Sequence, residues 1–211
     1  MNEYSFNLEA NMANRKEQKQ NTREKVLAAA ARCFAEKGYS GCSISDIAQR
    51  ADIAQGTMYV HFKSKDALFK VMIEEEHAQG AEKARRASNV TPYLNGIIGV
   101  MTDCIRDVGF PVDHRLWTEI LAVAARNPAV RETFATGDRA MRRVFVELLR
   151  KAAKAGEIDS NLDLEAVSVW LYALVDGLIA RTADDPDFDF QNHLNVFETL
   201  VRRALCPQQQ S

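Results

Sequence analysis

The chain lacks any run of eighteen consecutive apolar residues, and its N-terminal stretch lacks the apolar region of a secretion signal. A helix needs about twenty such residues to cross a membrane. We therefore expect neither membrane insertion nor secretion, and a cytoplasmic location. The 211 residues, of which 46% are hydrophobic, are nevertheless enough to bury a core in one or two domains.

Cysteine is scarce. The four cysteines, Cys33, Cys42, Cys104 and Cys206, form no C-x-x-C pair, and three of them lie on or beside apolar helical patterns. In a reducing cytoplasm this arrangement is typical of buried free thiols. We expect all four to be reduced.

Residue sets for catalysis or metal binding are also thin. Glu74 and His77 match one half of a di-iron pattern, but no second Glu-x-x-His follows. Alternate aspartates in the segment 185–189 resemble a calcium loop, yet Phe190 stands where that loop requires glycine. No Ser-His-Asp set, P-loop or dinucleotide fingerprint is readable. We expect no enzymatic activity, no cofactor and no metal site.

The sequence does contain two short helical patterns joined by a tight corner, in the segment 43–65. Ser43 and Asp46 form an S-x-x-D capping box for the first helix. Asp52 stands at the corner, where aspartate tolerates a left-handed backbone. The second helix is predicted over residues 54–62. The segment therefore predicts a helix–corner–helix unit.

The second helix presents small polar, amide and aromatic groups outward, which suits the DNA major groove. Gly56 lets backbone approach phosphate closely, and helix N-terminal N–H groups bind phosphate well. We expect Gln55 and Tyr59 to contact bases, and Thr57, Lys65 and the serines to contact phosphates. The predicted DNA-contacting residues are Ser43, Ser45, Gln55, Gly56, Thr57, Tyr59, His61 and Lys65.

Residues 22–73 resemble the N-terminal DNA-binding domain of the TetR family of bacterial transcriptional regulators. The stretches that match at fixed spacing are Phe34–Tyr39, Ser45–Ala48, Gly56–Tyr59 and His61–Leu68. The chain departs from the family pattern at Asp52, where glycine is common, and at Ala54, where serine is common. Gln55 and Val60 occupy variable positions, so the resemblance does not imply an operator sequence.

The resemblance implies a homodimeric repressor that binds a palindromic double-stranded operator and is released by a small apolar or amphipathic inducer. Two recognition helices would then lie about one DNA turn apart, roughly 34–36 Å. In the family, the helix that begins here at Lys65 and runs to about Ala87 links the DNA-binding domain to the body. Its tilt carries the regulatory signal.

The pattern as a whole predicts an all-α chain, with a three-helix DNA-binding domain before a helical ligand-binding and dimerisation bundle. We expect a mobile arm over residues 1–21 (Met1 or Met12 being the start), the DNA-binding domain over 22–70 and the bundle over 71–211. Lys and Arg exceed Asp and Glu by 11 − 8 = 3 in residues 1–70, whereas the remainder carries 16 − 21 = −5. A basic end beside an acidic body fits a nucleic-acid-binding domain. The arm's basic residues either reach DNA or are simply solvated.

Proline marks two helix starts in the body, at Thr91–Pro92 and Asn127–Pro128. The later helix Leu162–Arg181 is apolar almost all round and must therefore be covered on both sides. Together with the last helix, Phe190–Leu205, it predicts a four-helix dimer interface across a two-fold axis, or else the core of a single subunit. The predicted interface residues are Ala173, Gly177, Phe197, Leu200 and Val201.

Aromatic and methionine side chains along the body helices indicate either a ligand pocket or an ordinary core. Asp176 differs from the rest, because a carboxylate on an otherwise apolar helix needs a partner. The predicted pocket residues are Tyr93, Met101, Trp117, Leu121, Met141, Phe145, Trp170 and Asp176.

Two other classes of function remain open. A coactivator or nucleoid-associated factor of the same fold would answer to a protein partner, although the intact outer face of the second helix argues against lost DNA binding. A helical enzyme is disfavoured by the lack of an acid–base or nucleophile set.

Overall fold

A computed structural model describes residues 3–106 and 113–206, and within those ranges the chain forms nine helices and no strand. The predicted all-α class is confirmed. The chain divides into two compact units, Met1–Phe69 and Lys70–Ser211, with the boundary inside the fourth helix. The helices are α1 (Glu3–Gly41), α2 (Ile44–Arg50), α3 (Gln55–His61), α4 (Lys65–Ala87), α5 (Tyr93–Arg106), α6 (His114–Arg126), α7 (Pro128–Lys154), α8 (Leu164–Asp184) and α9 (Phe190–Leu205).

The first helix extends through the segment that was predicted as a mobile arm, because it is helical from Glu3 onward. The segment is rich in Glu, Ala, Lys and Gln, which are good helix formers even when they bury nothing. The amide of Gln20 also donates to Glu24 across one turn at 2.8 Å. Gly38 interrupts the helix with a positive φ of 70°, a backbone conformation that glycine adopts readily at helix ends.

The helix–corner–helix forms as the sequence predicts. The Ser43 hydroxyl accepts from the Asp46 N–H at 3.1 Å, and the Ser43 N–H donates to the Asp46 carboxylate at 2.8 Å. Asp52 takes up a positive φ of 54° at the corner. Ala54 precedes α3 and offers no side-chain cap, as its departure from the family pattern implied.

Cys33 and Cys42 are joined in a disulfide, so the expectation of four free thiols is wrong. The positive φ of Gly38 redirects the chain between the two residues and brings their Cα atoms to 5.9 Å. Both residues are buried. Cys104 and Cys206 are free.

The first unit packs around aromatic side chains. Phe34 contacts Phe69 edge to face, with ring centroids 5.2 Å apart, and Tyr39 packs beside both rings. Met58 of α3 and Ile47 of α2 are fully buried. Helix α2 packs on α1 and α3 packs on α2, so these buried side chains fix which face of α3 points outward.

The second unit is a helical bundle in which α5, α6 and α7 pack on α8, and α9 packs on α5. Asp113, Asn127, Asp163 and Asp189 cap the N-termini of α6, α7, α8 and α9 with their side chains. The predicted start at Asn127–Pro128 and the bounds of α9 are confirmed. The helical spacing of apolar residues after Pro92 continues up to Gly109 and predicts a helix end there, but Gly109 lies outside the described residues.

Helix α8 is buried along one face only, through Ser168, Leu171, Val175 and Ile179. It is also the one described helix that is long and apolar enough to cross a membrane, although the core helices of soluble proteins pass the same test. The apolar residues on its other face are exposed.

Candidate DNA-binding helix, ligand cavity and dimerisation face

Helix α3 presents the side chains that the sequence analysis assigned to DNA. Gln55 and Gly56 are exposed at its start, and the Tyr59 side chain is 53% exposed one turn further on. Thr57 and His61 are half-buried. Since Met58 and the following Phe62 are buried, the outward orientation of this set follows from packing. Ser43 and Ser45 are exposed at the start of α2.

Basic side chains lie next to the C-terminal end of α3. Burial lowers the pKa of His61, and the nearby charges of Lys19 and Arg23 lower this pKa further. The guanidinium of Arg23 lies over the ring of Phe62, 5.6 Å from its centroid. The middle of α1 thus adds positive charge beside α3, where a DNA phosphate would be attracted.

Lys65 has a structural role that the sequence analysis missed. Its ammonium donates to the carbonyls of Tyr39 and Cys42, at 2.8 and 3.0 Å, and lies over the Tyr39 ring. Two of its three N–H groups are therefore occupied by the chain, and a phosphate contact through the third stays a prediction. No local pattern could have shown these hydrogen bonds, because the partners lie 26 and 23 residues away.

Replacing Lys65 with alanine should therefore destabilise the first unit. Hydrogen bonds from charged donors contribute about 1.5–3 kcal/mol each, and partial exposure places Lys65 at the lower end. We expect a melting temperature lower by a few degrees. Lys63→Ala, at an exposed neighbouring lysine, is the matched control and should melt like the wild type. Thermal unfolding followed by circular dichroism measures both, and equal melting of the two variants would contradict the assignment.

The second unit contains a small cavity among α4–α8, called the inner cavity below. Its free volume of about 30 Å³ has room for one water-sized group. The residues that line it are Glu76, His77, Gly80, Cys104, Trp117, Met141, Tyr172, Val175, Asp176 and Ile179.

Asp176 is held by a tryptophan on the facing helix. The Trp117 indole N–H donates to the Asp176 carboxylate at 3.0 Å. Burial raises the pKa of Asp176, the Trp117 hydrogen bond opposes this rise, and the charge of Asp138 adds to it. The partner that an isolated carboxylate on α8 requires is thus an indole.

The inner cavity includes three of the eight predicted pocket residues, namely Trp117, Met141 and Asp176. Met101 and Phe145 lie beside it, in a packed region with no free volume. The other three assignments are corrected. Tyr93 and Leu121 are half-buried and do not line the inner cavity, and Trp170 is 76% exposed.

The sequence analysis missed His77 and Tyr172 as cavity residues. The His77 ring packs against Phe134 and Trp117, with centroids 4.9 and 5.8 Å apart. Tyr172 packs edge to face on Phe145. The Glu74-x-x-His77 spacing resembles half of a metal-binding pattern, but the His77 ring packs against aromatic side chains.

An outer groove of about 510 Å³ runs along α4 and α7, and it shares His77 and Met141 with the inner cavity. A Cβ atom at Gly137 would lie 2.5 Å from the His77 ring, and one at Gly80 would lie 2.5 Å from the Met141 sulfur. The two glycines thus let α4 and α7 approach closely. His77 and Met141 separate the groove from the cavity.

An apolar surface extends over the exposed sides of α8 and α9, and we call it the α8–α9 face. It consists of Val169, Trp170, Ala173, Leu174 and Gly177 on α8, and of Val196 and Leu200 on α9. Three predicted interface residues, Ala173, Gly177 and Leu200, belong to it. The assignment of Phe197 and Val201 is corrected, because both are buried in the subunit, where Phe197 packs on Phe190.

Two known families match the chain in sequence. Residues 26–72 match the family described as "Bacterial regulatory proteins, tetR family", and residues 104–205 match "BetI-type transcriptional repressor, C-terminal". The HTH-type transcriptional repressor AcnR of Corynebacterium diphtheriae is 27% identical over 187 residues, which cover 86% of this chain and 92% of that protein.

Solved structures share the fold. Salmonella enterica GusR superposes with a TM-score of 0.73 at 25% identity, over 88% of this chain and 95% of that one. FadR from Bacillus subtilis, solved in complex with stearoyl-CoA, superposes with a TM-score of 0.71 at 21% identity, over 84% of this chain and 96% of that one.

The helix–corner–helix geometry, the exposed face of α3 and the two family matches agree. They identify a regulator that binds DNA and not an enzyme. The chain belongs to the TetR family of bacterial transcriptional regulators and is a transcriptional repressor.

Proposed function

We propose that the protein acts in the cytoplasm as a homodimeric repressor, assembled through the α8–α9 face and released from a palindromic operator by a small ligand. The observation that carries the dimer is Trp170, a large aromatic side chain that is 76% exposed on an apolar helix. Contiguous exposed apolar patches mark interaction sites. A two-fold axis would place α8 and α9 against their own copies and form a four-helix bundle.

Gly177→Leu tests this arrangement. A Cβ atom at Gly177 meets nothing within 4 Å in the single chain, so leucine is tolerated in the folded subunit. In a closely packed dimer the added side chain overpacks the interface, at a cost of about 1–3 kcal/mol. We expect a lower dimer population in sedimentation velocity. Gly99→Leu, at another helical glycine with open space, is the control. A wild-type monomer at micromolar concentration would contradict the whole dimer proposal.

The inner cavity supports the ligand proposal, because it joins buried polar groups to apolar walls and lies beside an open groove. FadR from Bacillus subtilis, which shares this fold, was solved in complex with stearoyl-CoA. Helix α4 supplies Glu76, His77 and Gly80 to the cavity and also contains the boundary between the two units. A ligand that favours the DNA-incompetent arrangement by about 1–3 kcal/mol would lower operator affinity by roughly 5- to 150-fold.

The test is an operator titration with and without a ligand that binds the second unit. An operator can be obtained by repeated selection from random-sequence DNA. We expect a saturating ligand to weaken operator binding. If ligands that occupy the cavity leave DNA affinity unchanged, ligand control is refuted and control by a protein partner gains support.

A further inference from the structure

The inner cavity contains buried polar groups that no contact within the described residues satisfies. His77 is 3% exposed, and neither of its ring nitrogens makes a hydrogen bond of good geometry, although the Ile73 backbone lies close enough to act on its pKa. The hydroxyl of Tyr172 is also buried, and it has no hydrogen-bond partner among the described residues. Buried polar atoms are nearly always hydrogen-bonded in native proteins. Two such side chains lining one cavity indicate a site that receives a polar group from another molecule.

The charged residues around the cavity determine which charge a bound group can carry. Among the residues that line it, Glu76 and Asp176 are acidic, and neither lysine nor arginine is present. An anionic ligand would place a further negative charge beside these two carboxylates, which is unfavourable. A cation would instead stabilise the carboxylate of Asp176 that Trp117 holds in place.

The remaining groups favour a cation that donates hydrogen bonds. Burial lowers the pKa of His77, against the opposing effects of the Asp138 charge and the Ile73 backbone, and a neutral imidazole has one ring nitrogen that can accept a hydrogen bond. The Tyr172 oxygen and the Asp176 carboxylate are two further acceptors. A primary ammonium has three donors and no acceptor. The aromatic rings of Trp117 and Tyr172 also attract cations.

We propose that the inner cavity binds a primary or secondary amine with an apolar tail, whose ammonium group meets Asp176, His77 and Tyr172. This assignment rests on the proposed ligand control, because the amine would be the inducer. The tail would point towards the outer groove. Met141, which separates the two spaces, is flexible enough to move aside.

Isothermal titration calorimetry of the full chain without DNA provides the test. The probes are 2-phenylethylamine, 2-phenylethanol and phenylacetate, which share a ring and differ in head group. We expect the amine to bind at least about tenfold more tightly than the alcohol, a difference of about 1.4 kcal/mol. We expect no binding of the carboxylate. Preferential binding of phenylacetate, or binding of none of the three, would overturn the proposal.

Asp176→Asn keeps the shape of the side chain and removes its charge. This variant should lose at least about tenfold in amine affinity while its affinity for 2-phenylethanol stays within about twofold. Asp184→Asn is the matched control, because Asp184 is an exposed aspartate on the same helix and does not line the cavity. Wild-type amine affinity in a folded Asp176→Asn protein would overturn the proposal. If that variant does not fold, the affinities of the wild-type protein for the three probes still test the proposal.

The amine assignment and ligand control fail in distinguishable ways. Amine binding that leaves operator affinity unchanged supports the assignment and refutes amine-induced release. Release by a ligand of another class, in a protein that binds none of the probes, refutes the assignment alone.

Discussion

Replacing Trp170 with aspartate should convert the protein to a monomer at micromolar concentration and abolish specific operator binding. Tryptophan is enriched among residues whose truncation costs about 2 kcal/mol or more at interfaces. In the dimer, an aspartate at this position would bury an unpaired charge at the interface. Two-fold symmetry places the substitution in both subunits, so the loss of the tryptophan and the buried charge each occur twice. The chain itself should fold normally, because Trp170 is mostly exposed in the subunit. Sedimentation velocity measures the assembly, and operator titration measures the DNA binding.

Val90→Asp is the control for Trp170→Asp. Val90 is also an exposed apolar residue, but it lies outside the α8–α9 face. This variant should remain dimeric and bind the operator as the wild type does. Dimerisation of Trp170→Asp with wild-type strength would remove α8 from the interface.

Tyr59→Ala should lower operator affinity by roughly 5- to 150-fold, since a good base contact contributes about 1–3 kcal/mol of discrimination. Gln55→Ala should act in the same direction, because both side chains are exposed on α3. Loss of a base contact leaves the number of phosphate contacts unchanged, so the salt dependence of binding should keep its slope. Fluorescence anisotropy titrations at several salt concentrations measure affinity and slope together.

The free energy of unfolding of both α3 variants should lie within about 0.5 kcal/mol of the wild-type value, as is usual for surface substitutions. Reduced affinity for every DNA sequence, with a shallower salt slope, would instead assign Tyr59 to the phosphates. Unchanged operator affinity would remove it from the interface.

Local signals predicted the DNA-binding motif well. The Ser43–Asp46 capping box, the corner at Asp52 and the buried Met58 depend on residues close in sequence, and the structure contains each of them. The contacts of Lys65 could not be predicted from local sequence. Its carbonyl partners in Tyr39 and Cys42 are brought close by the fold, so its position at a helix start suggested only a phosphate contact.

The second unit was predicted less completely, because helical periodicity does not reveal which neighbours cover each face. Trp170 and Trp117 both lie on apolar patterns, yet one is exposed on α8 and the other is buried against Asp176. Phe197 and Leu200 are three residues apart on α9 and point to the core and to the surface respectively. His77 and Tyr172 became cavity residues only once α4 and α8 were packed together.

Stoichiometric titration of a labelled palindromic operator tests the central claim most directly. A dimer that reads two half-sites through α3 predicts saturation at two chains per palindrome. It also predicts that a single half-site binds at least about tenfold more weakly, because one set of base contacts is lost. Saturation at one chain per palindrome, with the half-site bound as tightly as the full operator, would contradict it.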